Sequence, residues 1–381
     1  MGKKNYLESL RGLAALSVAF YHLQIGSIFN NAFTDNAPIM VDFFFVLSGY
    51  VISLNYFDRM QSVGDLIDFQ KKRFWRIYPL HFVMLLAFVL IEIAKFIFES
   101  RSGVLATDPA FSRNDLGAFL QHVFLVHNVL GNDWSWNGPS WSISAEFYTY
   151  FVFALVLVLF NGATRMRYAI IGALLLMSAY FVASNPQDAV QVRLFRCLLS
   201  FFIGSLAFEL ERALKISQHV KGSLIAGAIM AIVVLFAMFS SDIPRILFLA
   251  FPLLCAALIL GLNASHKQSL IIRVLENRFL VYLGTISFGV YMIHSAVWWA
   301  MRQALRIVFK LPTSVSASGE AVIDFGNVYV ASAVHVLGVA VVILLSHISY
   351  NWLEAPLSKR FRGARKSTTG VPAHGLARAQ S

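Results

Sequence analysis

Arg11 and His22 stand in the first apolar segment of the chain, read as a span over residues 9–28, with nothing charged between them. An ionisable group at membrane depth is costly and marks function by default. At a rise of about 1.5 Å per residue, a helix places the imidazole about 16 Å beyond the guanidinium. A guanidinium suits the anchoring of an anion, and a neutral imidazole suits proton transfer near neutral pH. The pair therefore predicts an anionic ligand at one face and proton chemistry deeper in. A second basic cluster, Lys71-Lys72-Arg73-Phe74-Trp75-Arg76-Ile77-Tyr78-Pro79, precedes the third apolar run. Arg73 and Arg76 share a helix face, where two guanidiniums clamp a phosphate. The plainer reading is a cytoplasmic-side anchor with interfacial aromatics. With Arg11 at a matching depth, three arginines define one mouth for an anionic ligand.

Farther on, Asn137-Gly138-Pro139-Ser140-Trp141-Ser142-Ile143-Ser144-Ala145-Glu146 opens another span. Pro139 sits where a helix start tolerates it, and Glu146 falls about one and a half turns inside. A carboxylate in an apolar wall must be protonated, paired with a base or turned to a polar cavity. Asp42 heads the run Val41-Asp42-Phe43-Phe44-Phe45-Val46-Leu47-Ser48-Gly49-Tyr50, whose Ser48-Gly49 step permits close helix contact. His294 ends Ser287-Phe288-Gly289-Val290-Tyr291-Met292-Ile293-His294 in mid-span; a lone histidine there is more often a packing residue than a catalyst. His81, His122, His127, His335 and His347 are weaker candidates.

The elements that position these groups follow from composition. The 381 residues are 58% hydrophobic and 13% charged, with 34 Phe and a mean hydropathy of +0.66, far too apolar for a soluble chain of this length. The fold class is an all-α polytopic helical membrane protein. Apolar runs of spanning length lie near residues 9–28, 38–57, 77–98, 141–160, 168–184, 194–211, 223–240, 245–263, 280–300 and 328–353. Leu116 to Leu130 is short and amphipathic and reads as a re-entrant or interfacial piece. A ten-span layout with the N-terminus inside places most of the 31 Lys and Arg on the inner side, so both termini are expected in the cytoplasm. That distribution explains the net charge of +11 without nucleic acid. Cys197 and Cys255 lie in apolar runs and suggest neither disulfide nor metal. Residues 1–362 are expected to form the membrane domain and 363–381 a flexible cytoplasmic tail. The aromatic segment Asn132 to Asn137 could stack on a sugar or anchor in the interface. The stretch Pro312 to Asn327 reads as a polar, flexible loop.

Six motifs in order resemble the membrane acyltransferase family 3: Arg11 with His22, the Phe43 to Tyr50 run, Arg73-Phe-Trp-Arg76-Ile-Tyr-Pro, Trp141-Ser-Ile-Ser-Ala-Glu146, Ser287 to His294, and Tyr350-Asn-Trp-Leu-Glu354-Ala-Pro356. The match covers residues 5 to 360. The resemblance implies a bacterial inner-membrane enzyme that moves an acyl group, usually acetyl from acetyl-coenzyme A, to a sugar hydroxyl. Acceptors of the family are surface polysaccharides, their lipid-linked precursors or glycosylated metabolites. It further implies that His22 is catalytic and that Arg11, Arg73 and Arg76 bind the donor. Some relatives carry an extracytoplasmic hydrolase-like domain, and this chain resembles the stand-alone branch.

Acyl transfer from a thioester needs a base to deprotonate the alcohol, which a histidine near its ordinary pKa supplies. The expected catalytic set is His22 with Glu146, which orients a histidine or anchors the sugar. Trp141, Ser142, His294 and Asp42 are the weaker candidates for substrate contact, and no metal is expected. A covalent acyl-histidine is the competing mechanism. The competing function is a transporter using buried Arg, Glu and His as a substrate or proton path.

Overall fold

In lipid, a long apolar run has no water to satisfy its backbone, so it closes its own hydrogen bonds as a helix. The computed structural model describes residues 4–103, 108–131, 134–185, 190–216, 220–315 and 321–361. The proposed tail, 363–381, lies outside them. The helices, in chain order, are α1 (Asn5–Tyr21), α2 (Ala32–Asp35), α3 (Met40–Tyr56), α4 (Val63–Ser102), α5 (Leu116–Val123), α6 (His127–Leu130), α7 (Trp141–Leu159), α8 (Thr164–Ser184), α9 (Val190–Leu214), α10 (Val220–Met238), α11 (Ala250–Asn263), α12 (Leu270–Leu275), α13 (Arg278–Gln303), α14 (Val328–Ser349) and α15 (Ala355–Phe361). Eight helical stretches among the described residues are long and apolar enough to cross a membrane. The other two long helices are α1, with 17 residues, and α9, which carries Arg193, Arg196, Glu209 and Glu211. The chain is a polytopic helical membrane protein, and its ten long helices correspond to the ten spans read from the sequence.

Boundaries differ in instructive places. The first helix ends at Tyr21 rather than near residue 28, so His22 caps it instead of lying mid-span. A turn stops it: Gly26 takes φ 66°, the Ser27 N–H donates to Asn30 Oδ1 (3.0 Å), and Asn30 Nδ2 donates to the Leu23 carbonyl (3.0 Å). The third span is one 40-residue helix, α4, with Arg73, Arg76 and Pro79 all inside it. Its far end overhangs and holds the next connection: buried Glu92 accepts from Lys95 Nζ (2.9 Å), Asn114 Nδ2 (2.7 Å) and the Phe111 N–H (2.7 Å). The re-entrant piece is two short helices, α5 and α6, broken at Leu125, whose φ is 57°. The Pro312 to Asn327 connection, read as an unstructured loop, contains an antiparallel pair, β1 (Thr313–Val315) and β2 (Ala321–Ile323). Ile323 buries itself with Leu23 and Ile25, which gives the pair its hold.

Two helix pairs form the frame. In the first, α1 packs most extensively against α13, in parallel: Gly12 faces Gly284, Ala19 faces Trp298 and His22 faces His294. A Cβ on Gly284 would overlap the Glu8 carbonyl, and one on Gly12 would stand 2.6 Å from the Gly284 nitrogen. Trp298, wholly buried, donates its indole N–H to the Ala19 carbonyl (2.8 Å). In the second pair, α3 runs parallel to α9, with a Cβ on Gly49 barred by the Phe201 carbonyl and one on Gly204 by the Val46 carbonyl. The small-residue step at Ser48-Gly49 thus does what its composition suggests. Asp42 on α3 pairs with Arg196 on α9 (2.5 Å) and accepts from Ser200 (3.2 Å). At the opposite end Lys4 bonds Glu211 (2.9 Å) and Tyr50, tying the N-terminus to the same pair.

Gly284→Leu should prevent recovery of monodisperse protein from detergent, whereas Gly172→Ala, with open space at its Cβ, should keep the wild-type melting temperature. Size-exclusion chromatography and a detergent melt check both. Asp42→Ala should cost about 3–5 kcal/mol by leaving Arg196 buried without its counter-charge, read as a lowered melting temperature that the Asp42→Leu, Arg196→Met double variant partly restores.

Candidate active site

The site begins where α1 stops. His22 Nδ1 donates to the Val18 carbonyl (2.9 Å), and His294 Nδ1, on α13, donates to the Val290 carbonyl (3.1 Å). A carbonyl only accepts, so each Nδ1 carries the proton and each Nε2 keeps a lone pair. Both Nδ1 edges turn back onto their own helices, so both Nε2 edges project from them. The two rings lie 4.9 Å apart between centroids. His22 is partly exposed; His294 is fully buried, and its Nε2 has no hydrogen-bond partner. Arg302, two turns beyond His294 on α13, acts electrostatically on His22.

The chain from Asn137 to Ser142 forms the neighbouring wall. Asn137 donates to the Met292 carbonyl (3.1 Å) and accepts from Ser295 (2.7 Å). Ser142 donates to the Tyr291 hydroxyl (2.9 Å), which donates to the Pro139 carbonyl (2.9 Å), and the Tyr291 ring lies 6.0 Å from that of His294. Ser142 and His294 therefore share a site. Trp141 is buried beside it under the guanidiniums of Arg193 (5.5 Å) and Arg196 (5.9 Å). Arg193 also covers one face of Trp134 (4.4 Å), which remains 58% exposed. Trp136 and Trp298 are buried core residues rather than interfacial ones. Asp42 is committed to Arg196 and Ser200.

Glu146 accepts hydrogen bonds from Ser48 on α3 and from Tyr150 one turn on (2.5 Å). Its hydrogen-bond partners are hydroxyls rather than a base. Arg73 continues this seam toward the N-terminal end of the bundle. Its Nη2 reaches Tyr56 (3.4 Å), its guanidinium lies over the Tyr56 and Phe69 rings at 5.5 and 5.6 Å, and its Nε is buried without a hydrogen-bond partner. The three arginines face different groups. Arg11 pairs with Glu8 (2.8 Å), and Arg76 is exposed and acts on Glu354, which accepts from Ser349 (3.1 Å).

The sequence left two constellations undetected. Arg302 lay past a histidine whose partner was unknown, and its spacing of two turns from His294 was the available signal. His81, His122 and His127 form a stack of near-parallel rings, 3.8 Å between the last two, with His81 bonded to the His122 carbonyl (3.0 Å) and His127 to the Ser140 carbonyl (3.0 Å). They hold α5 and α6 against α4 and so support the Asn137 to Ser142 wall.

A family model described as an acyltransferase domain matches residues 4–347. The YrhL protein of Bacillus subtilis is 27% identical over 397 residues, covering 97% of this chain and 56% of that protein. The peptidoglycan O-acetyltransferase OatA of Listeria monocytogenes is 26% identical over 388 residues, covering 93% and 55%. The O-acetyltransferase OatA of Staphylococcus aureus is 23% identical over 376 residues, covering 93% and 57%. The chain thus spans about half the length of the curated relatives it matches. No solved structure matches it significantly. Since the family match runs from before α1 almost to the end of α14 and takes in both facing histidines and Arg11, Arg73 and Arg76, the chain belongs to the acyltransferase domain family.

Proposed function

We propose that this chain is a membrane-embedded O-acyltransferase that moves an acyl group, acetyl in the first instance, from acyl-coenzyme A to a carbohydrate hydroxyl. The observation that carries the proposal is His22: an accessible imidazole with its Nε2 lone pair free, at the end of a helix whose other end bears a cation. The Nε2 takes the proton of the acceptor hydroxyl as its oxygen attacks the thioester carbonyl. The C–S bond then breaks, and the thiolate recovers that proton.

Arg11, Arg73 and Arg76 would receive the donor's phosphates. Glu8 lies in a partly exposed i,i+3 pair with Arg11, of a kind worth only about 0.2–0.5 kcal/mol, so phosphate displaces it readily. The buried, unpartnered Nε of Arg73 supports the same assignment. Inward from Arg73, Ser48 and Tyr150 bond to Glu146, hydroxyl and carboxylate groups whose chemistry would suit an amide-bearing thioester arm. In this reading Glu146 holds those hydroxyls rather than touching the imidazole. Trp134 offers the acceptor an exposed ring, with Trp141 and Ser142 buried behind it beside the histidines, and Asp42 supports that wall through Arg196. The carbohydrate acceptor is favoured by the listerial relative's name as a peptidoglycan O-acetyltransferase. The bacterial relatives and the bias of Lys and Arg support an inner-membrane location with both termini cytoplasmic.

The test uses the full chain in nanodiscs with labelled acetyl-coenzyme A and a panel of glycans. Wild type should release thiol and form a sugar ester, and His22→Ala should lower kcat by about 10²–10⁴-fold while eluting as folded protein. Unaltered turnover in His22→Ala would sink the assignment. Arg73→Ala should instead raise the donor KM by about 10- to 100-fold, the loss of a hydrogen bond to a charged group; an unchanged donor KM would place the phosphates elsewhere.

A further inference from the structure

We infer that His294 is a positioning residue for the reaction, sharing with His22 the proton that His22 removes from the acceptor. The inference rests on the acyl-transfer reading and adds to it a second imidazole with a defined task. Four observations lead there. The rings of His22 and His294 are 4.9 Å apart. Each Nδ1 is spent on the carbonyl four residues back in its own helix, so both rings are held in one tautomer. The Nε2 of His294 is fully buried and has no hydrogen-bond partner. A neutral imidazole in this tautomer accepts at Nε2 and cannot donate there.

A buried acceptor without a donor is costly unless a donor arrives. While both histidines are neutral, neither Nε2 carries a hydrogen for the other. Once His22 has taken the hydroxyl proton it presents Nε2–H, and the neighbouring lone pair of His294 becomes its acceptor. The orphaned atom is then satisfied in the charged intermediate and not in the resting state. That is differential stabilisation of the reacting state, which raises kcat rather than ground-state binding. The balance is simple: the acceptor O–H bond breaks and N–H forms on His22, shared with His294. When the C–S bond breaks, the proton passes to the thiolate sulfur and both imidazoles return to neutral. His294 never meets the sugar, because no part of it is exposed.

The α1–α13 register makes this pairing a built feature. Gly12 meets Gly284, and the same offset along the two parallel helices brings His22 to His294. Trp298 fixes the end of α1 through the Ala19 carbonyl, one turn before His22.

The experiment measures thiol release by the full chain in nanodiscs, with donor and acceptor varied separately, for wild type, His294→Phe and His294→Gln. Phenylalanine fills the site without an acceptor; glutamine keeps an acceptor oxygen but cannot bind the proton. We expect kcat to fall about 10- to 100-fold in His294→Phe, the worth of a hydrogen bond to a charged group. Both KM values should stay within about 2-fold of wild type, as they should when only the reacting state is affected. His294→Gln should lose several-fold in kcat, less than His294→Phe. Wild-type kcat in His294→Gln overturns the proposal even if His294→Phe does not fold. A raised acceptor KM with unchanged kcat overturns it too, in favour of a substrate contact. An inert wild type removes acyl transfer and this inference together, whereas an active wild type with unaltered variants removes this inference alone.

Discussion

The contact of Gly12 with Gly284 governs the rest of the structure. Two helices that touch backbone to backbone have no side-chain layer between them to absorb error, so their register is set by the pair itself. Everything downstream on α1 is carried by that register: the Ala19 carbonyl reaches the Trp298 indole, and His22 arrives opposite His294. One residue of slip would rotate His22 by about 100° away from α13. A functional geometry about 15 Å away from the contact is thus held by two residues that have no side chains.

Polar groups inside the bundle fall into two kinds. Asp42 with Arg196, Lys4 with Glu211 and Tyr50, and Glu92 with its loop partners are charges matched by charges or donors, and they join helices. The histidine stack does so with near-parallel rings. His294 Nε2 and Arg73 Nε are among the buried polar atoms without a hydrogen-bond partner, as are His81 Nδ1 and His127 Nδ1 within the stack. An unmatched buried atom calls for an explanation, and at His294 and Arg73 the neighbouring groups supply one.

The helix inventory was legible because lipid allows a long apolar run only one local answer. Glu146 was legible for the same reason, its polar surroundings being demanded by the cost of a carboxylate. The end of α1 was not, since Leu23 and Ile25 remain apolar while the Gly26 turn and the Asn30 side chain end the helix. The resting partners of the three arginines were not legible, since depth says nothing of azimuth: Arg11 and Arg76 turn to Glu8 and Glu354. Asp42 suggested a ligand because its partner, Arg196, lay in a distant span. The partnership of His22 and His294 was equally hidden, for no local pattern reports which two of ten helices touch. The β1–β2 pair escaped because its strands have only three residues each.

The facing histidines sit on the first and the ninth of the long helices, and α1 lacks the length and apolarity of a self-sufficient span. During synthesis, α1 therefore waits with its glycine-lined side and its imidazole unpartnered until α13 enters the bilayer. A chain interrupted between α4 and α13 holds Arg11, Arg73, Arg76 and His22 but neither the second imidazole nor the wall that Tyr291 braces. The facing pair therefore forms late and all at once, when α13 packs against α1.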